Sequence, residues 1–131
     1  MKVVIDSNLL ISSLLGKLTS GIINDIILQK YELITSNQQI EEVIGVLKRA
    51  KFRDKIPMTK IQELENALKN IGTIVELYGN IFDCRDPKDN FILEMGVNGK
   101  ANYIVTGDDD LLILNPYKKI PILKYSEFIE L

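Results

Sequence analysis

Carboxylates stand where the apolar runs of this chain stop. Asp6 follows Val3, Val4 and Ile5, and Asp108 to Asp110 follow the run Tyr103 to Gly107. Asp86 and Asp89 fall in Asp86-Pro87-Lys88-Asp89-Asn90, just ahead of a helical pattern. One acid at a strand end is ordinary. Three acidic groups that a parallel sheet can gather at one edge make a site for a hard divalent cation. Such ions prefer oxygen ligands, and Mg²⁺ is commonly held by one or two carboxylates, waters and substrate phosphates. The same residues also suit plainer work. Asp6, Asn8, Asp86 and Asp110 can cap helices or open turns, and Asp89 can favour a helix dipole. Asp109 reads as a turn acid, while Ser12 and Thr106 can satisfy local backbone groups.

Absences narrow the chemistry further. The 131 residues include no histidine, which removes imidazole acid-base catalysis, His-ligated zinc and histidine triads. The single cysteine, Cys84, can form neither an internal disulfide nor a thiolate cage and reads as a small buried side chain. The formal net charge of −2 does not advertise nucleic-acid binding through overall basicity. A local basic run, Lys48, Arg49, Lys51, Arg53 and Lys55, is either a solvated helix end or a guide for a phosphate backbone.

Those residues must be positioned by the elements around them. Val3–Ile5, Tyr31–Thr35, Thr73–Leu77, Tyr103–Thr106 and Ile120–Leu123 read as strands, the last at an edge because of Pro121. Helical patterns lie between them, over 9–15, after Thr19 or Ser20, after Ser36 and after Thr59. Ser36 with Gln39 and Thr59 with Gln62 have the spacing of capping boxes. Ile40, Val43, Ile44 and Leu47 form one apolar stripe, as do Ile61, Leu64, Leu68 and Ile71. Asp86-Pro87 starts a helix that ends near Asn98-Gly99, and a short helix over Leu111–Leu114 stops at Asn115-Pro116. Alternating strands and helices predict an α/β fold: a three-layer α/β/α sandwich around a mostly parallel, about five-stranded sheet. Right-handed crossovers then bring every strand's C-terminal end to one edge, so Asp6 and Asp108 become neighbours. The length fits one domain, residues 1–131, and no apolar run approaches the roughly 18 residues of a membrane span. The chain opens directly into a strand pattern without a signal-peptide composition, so a cytoplasmic location is expected.

The segments IDSNLLISSLL, SNQQIEEVIGVLKRAKF, DPKDNFILEMG and ANYIVTGDDDLL occur in an order that resembles the PIN domain. More narrowly, the chain resembles the PIN-family toxins of toxin–antitoxin systems, which are VapC-like single-domain ribonucleases. The resemblance implies an endoribonuclease using Mg²⁺ or Mn²⁺, one or two ions, around a quartet of acids. It assigns these to Asp6, Glu42, Asp89 and Asp108, with Asp6, Asp89 and Asp108 as the main metal ligands and Asn8 as the accompanying amide. Ser12 and Thr106 match hydroxyl positions, Asp110 an additional acid, and Asp86 is divided between helix cap and support. Glu42 rests on register alone, since at about 100° per residue it lies about 200° from Ile40, off the main stripe. The resemblance also implies an RNA substrate, a cognate antitoxin partner and a homodimer. Lys48, Arg49, Lys51 and Arg53 would follow the RNA backbone. Two other readings stand beside it. One is a catalytically inactive PIN-fold binding module. The other is a haloacid-dehalogenase-like phosphatase, which needs a second aspartate where Asn8 stands.

Overall fold

The computed structural model describes residues 1–16, 19–49 and 54–131. The central strands are unbroken apolar runs because both of their faces are covered. In β1 (Lys2–Ile5), Val3, Val4 and Ile5 are all fully buried. Val3 and Ile5 enter one hydrophobic cluster and Val4 enters the other. Leu33 and Ile34 of β2 (Glu32–Thr35) divide in the same way, as do Val105 and Ile104 of β4 (Tyr103–Val105). With β3 (Thr73–Ile74) and β5 (Ile122–Leu123) these strands form a five-stranded, all-parallel sheet of order β3-β2-β1-β4-β5. Val4 pairs with Ile34 on one side and Ile104 on the other.

One face is covered by α1 (Ser7–Ser12), α2 (Gly21–Ile27), α3 (Asn37–Leu47) and α4 (Met58–Asn70), whose buried side chains share a cluster. The opposite face carries α5 (Asn90–Asn98) and Leu111 of α6 (Asp109–Leu112). Phe128 of α7 (Tyr125–Phe128) returns to the first face, where its ring meets Tyr31 and Tyr103 edge-on. This is the α/β/α sandwich that the alternation predicts. The chain winds from β1 outward to β3, then crosses back to β4. The reversal falls between β1 and β4, where open α/β sheets form their crevice at the strands' C-terminal ends. The Asp6 N–H donates to the Val105 carbonyl across that gap at 2.9 Å.

Helix α5 lies unusually close to the sheet. A Cβ at Gly96 would stand 2.8 Å from Ile104 Cδ1, and one at Gly99 would stand 2.5 Å from Ile34 Cγ2. A side chain at either position would force Ile104 or Ile34 to shift, so glycine is what lets the C-terminal end of α5 sit this close to the sheet.

Two expectations change in detail and a third holds. The third strand is limited to Thr73–Ile74, both exposed at the edge, and the chain leaves the sheet after the Val75 N–H donates to the Thr35 carbonyl. Helix α4 begins at Met58 behind Pro57, so Thr59 and Gln62 lie inside it and form no capping box. The fifth strand is the edge strand that Pro121 predicts, and the Pro121 carbonyl accepts from the Ile104 N–H at 3.0 Å. No described helix is long and apolar enough to cross a membrane.

Candidate active site

Asp6 leaves β1 and caps α1, accepting from the Asn8 N–H at 3.3 Å. It is only 6% exposed, and burial is the main force raising its pKa above the ordinary carboxylate value. Thr106 opposes that shift by donating its hydroxyl to Asp6 Oδ2 at 2.6 Å. The same oxygen, Thr106 Oγ1, accepts from the Asp108 N–H at 3.0 Å. One fully buried hydroxyl therefore ties the acid after β1 to the acid after β4. Asp108 in turn caps α6 by accepting from the Asp110 N–H at 2.9 Å.

Asp89 ends a 3₁₀ turn, Pro87–Asp89, that leads into α5. Its Oδ2 is buried, and among the described residues no donor faces it. Burial and the neighbouring Asp108 carboxylate push its pKa up to about 7, with smaller contributions from Asp6 and Asp86. Asp89 and Asp108 lie within hydrogen-bonding reach of each other, yet both are acceptors when ionised. The pair is satisfied by a shared proton or by a cation.

A cleft of about 430 Å³ opens over Asp6 and Asp89, lined also by Asn8, Ile11, Glu42, Val46, Arg49 and Lys88, with Asp108 reaching it only through its neighbour Asp89. Glu42 thus faces the cleft, whereas Glu41 lines a separate groove with Lys48, Glu65 and Lys69. The basic run divides accordingly: Arg49 borders the acids, Lys48 does not, and Lys51 and Arg53 lie outside the described residues. The remaining candidates have other occupations. Asp86 caps the 3₁₀ turn through the Lys88 N–H and pairs with Lys88 Nζ at 3.5 Å. Asp110 pairs with Arg85 at 2.8 Å. Ser12 donates to the Leu9 carbonyl at 3.1 Å and lies 3.3 Å from Thr19 Oγ1, and among the described residues it makes no hydrogen bond to the acids. Cys84 is buried, and its thiol lies 3.6 Å from the Asp110 carbonyl, to which it donates.

Several supporting residues escaped the sequence reading. Ser36 caps α3 as expected, accepting from the Gln39 N–H at 3.1 Å. The reciprocal half of the box is missing because Gln39 is fully buried. Its Nε2 donates to the Ile5 carbonyl at 2.7 Å, and its Oε1 accepts from Thr35 Oγ1 at 2.7 Å. Gln39 therefore bolts α3 to the ends of β1 and β2, one turn before Glu42. The available signal was its place four residues before Val43, on the buried stripe. Glu94 is also buried, where it accepts from the Tyr78 and Gly79 N–H groups and fixes the loop after β3. Lys88, read only as part of a helix start, borders the cleft.

The donor set suits a hard cation. Among the described residues no three acidic or cysteine side chains already form a ring around an ion position. Mg²⁺ does not require one, since it keeps several waters and binds through one or two carboxylates. The orphaned Asp89 oxygen beside Asp108, with Asp6 close enough to help raise the Asp89 pKa, supplies such a pair.

A parallel α/β sheet with acids near its switch point puts oxygen ligands where open α/β sheets bind theirs. The PIN domain family model matches residues 2–110. The chain belongs to the PIN domain family, whose members are generally nucleases that use divalent metal ions. It is also similar to an uncharacterized protein of Methanocaldococcus jannaschii, with 31% identity over 126 residues, covering 92% of this chain and 81% of that protein. No solved structure matches.

Proposed function

We propose that this protein is a Mg²⁺- or Mn²⁺-dependent endoribonuclease, the toxin of a toxin–antitoxin pair. The observation that carries the reading is the buried, donorless Asp89 oxygen beside Asp108 and Asp6 at the sheet's C-terminal edge. Asp6, Asp89 and Asp108 would hold the main ion, and Glu42, across the cleft, a second ion or the attacking water. A divalent cation bound there supplies Lewis-acid stabilisation of phosphate charge and a more acidic water. The chain's own part is positioning. Thr106 holds the Asp6 carboxylate and the Asp108 backbone in one frame, and Asn8 stands at the cleft wall. Arg49 and Lys88 offer cations to the RNA backbone against an otherwise acidic lining. In-line attack by water gives a 5′-phosphate and a 3′-hydroxyl. With no histidine, paired-imidazole attack by the 2′-hydroxyl has no residues to serve it. Single-stranded or looped RNA, whose backbone can bend into the cleft, is the favoured substrate.

The antitoxin would present an Arg or Lys to the same carboxylates, a charge-assisted pairing that also blocks the ion. Self-association as a homodimer follows from the family resemblance. The decisive experiment is RNA cleavage by wild type and Asp108→Asn, with Mg²⁺ or Mn²⁺ added or chelated. Wild type is expected to cut only with metal, and Asp108→Asn to lose about 100-fold or more, the scale of removing one electrostatic stabiliser. Metal-independent cleavage, or full activity in Asp108→Asn, would sink the assignment. Failure to cut any RNA with metal present would leave a binding module.

A further inference from the structure

The loop after β3 carries two aromatic rings in water. Tyr78 is 75% exposed and Phe82 80%, whereas Tyr31, Phe91, Tyr117 and Phe128 are each at most 8% exposed. The loop beneath them is held firmly. The Glu94 carboxylate accepts from the Tyr78 and Gly79 N–H groups, and Ile81, between the rings, is buried. Asn90 Oδ1 accepts from the Cys84 N–H at 2.8 Å just beyond. Asn98 Nδ2 donates to the Glu76 carbonyl at 2.8 Å just before. A backbone pinned at four points that still leaves two rings solvated is built to present those rings.

Both rings line one groove of about 390 Å³, together with Gln38 and Lys88. Lys88 also lines the acidic cleft, so the two depressions adjoin at its side chain. This Lys is 80% exposed and held only by Asp86 at 3.5 Å, which leaves it available to a phosphate. A phosphate backbone passing Lys88 toward Asp89 would set the adjoining base over the groove. Aromatic faces accept any base, with no need for edge recognition.

We propose that Tyr78 and Phe82 form a stacking platform for a base of single-stranded RNA flanking the scissile phosphate. The platform rests on the proposed ribonuclease reading and supplies its missing element, a means of gripping an unpaired strand on a protein of negative net charge. Gln38, at the groove wall, offers an exposed amide to the edge of the stacked base.

The test separates binding from cleavage. In chelator, the protein is titrated with a single-stranded oligoribonucleotide containing 2-aminopurine, whose fluorescence falls on stacking. Wild type is expected to bind with a quench. Tyr78→Leu and Phe82→Leu, which keep apolar bulk without a π face, each weaken binding about tenfold. The double variant loses the quench, while Tyr78→Phe and Phe82→Tyr retain it. An abasic strand of equal length binds wild type and the double variant alike. Far-UV circular dichroism checks that each variant is folded. Unchanged affinity and quench in the folded double variant overturn the platform, as does a wild type that shows no base-dependent quench. Loss of self-association with RNA binding intact overturns it in favour of a second copy of the chain. Cleavage is read separately with Mg²⁺. Base-dependent binding without cleavage keeps the platform and removes the nuclease reading, whereas cleavage with unaltered binding in the variants does the reverse.

Discussion

Thr106 meets no solvent, yet its hydroxyl serves two acids at once, donating to Asp6 Oδ2 and accepting from the Asp108 N–H. Burial pulls the Asp6 pKa up and the Thr106 donor pulls it down, so the residue sets how readily Asp6 ionises. Valine has nearly the same shape without the hydroxyl. Thr106→Val should therefore raise the Asp6 pKa further and leave the Asp108 N–H without its acceptor. The expected loss of stability is about 1.5–3 kcal/mol, the worth of a hydrogen bond to a charged group, read from the urea midpoint at neutral pH. Thr106→Ser, which keeps the oxygen, should lose less than half of that. Equal losses in the two variants would mean that packing, and not the bridge, is what Thr106 supplies. Asp110 illustrates the opposite outcome at this scale. Its position in the acidic run suggests a ligand, but Arg85 already neutralises it at 2.8 Å. Nothing in the spacing of Arg85 foretells that pairing, because it depends on how the loop before α5 folds back.

Helix α3 shows where periodicity is a sound guide and where it fails. Ile40, Val43, Ile44 and Leu47 are buried as their spacing requires, and β1, β2 and β4 are legible because unbroken apolar runs have few other uses. That Asp6 and Asp108 share one edge is legible too, since it follows from parallel topology, while their adjacency depends on β4 pairing with β1. Glu42 could not be separated from Glu41 by the wheel. Both are exposed, and only the packing of α3 against α1 decides which one meets the cleft. Tyr78 and Phe82 were invisible for a related reason. They sit in an irregular segment whose shape is dictated by Glu94, a residue that reads as an ordinary helix acid. Gln39 fits a capping box by spacing, yet its side chain joins α3 to the Ile5 carbonyl and Thr35. Gln39→Leu keeps the volume but orphans a buried carbonyl and a buried hydroxyl. Its expected cost is about 1–3 kcal/mol in chemical denaturation. Because Glu42 follows one turn later, RNA cleavage should fall as well. A variant as stable as wild type would show that the buried amide is not what seats α3.

Asp6, Glu42, Asp89 and Asp108 come from distant stretches of chain to one edge of the molecule, and the electrostatic cost of that gathering is plainest at Asp89. Its pKa is raised from 3.8 in the unfolded chain to about 7, first by burial and then by Asp108. A carboxylate raised in this way binds its proton more tightly when folded. Its favourable contribution is therefore complete below about pH 4 and is lost as pH climbs through about 7. Other groups titrate in the same window, so the informative quantity is a difference. Asparagine at position 89 imitates the protonated acid at every pH. In chelator, the stability of Asp89→Asn relative to wild type should rise steadily from pH 4 to pH 8. Under the metal-site reading, a divalent cation replaces the shared proton and needs the ionised acid. Added Mg²⁺ should then raise the wild-type melting temperature more at pH 8 than at pH 5, and should do little for Asp89→Asn at either. These curves test convergence without depending on catalysis. A flat difference between the two proteins would mean that Asp89 is solvated after all. A Mg²⁺ shift independent of pH would mean that the ion binds elsewhere. Either result would separate the buried oxygen from the chemistry assigned to it.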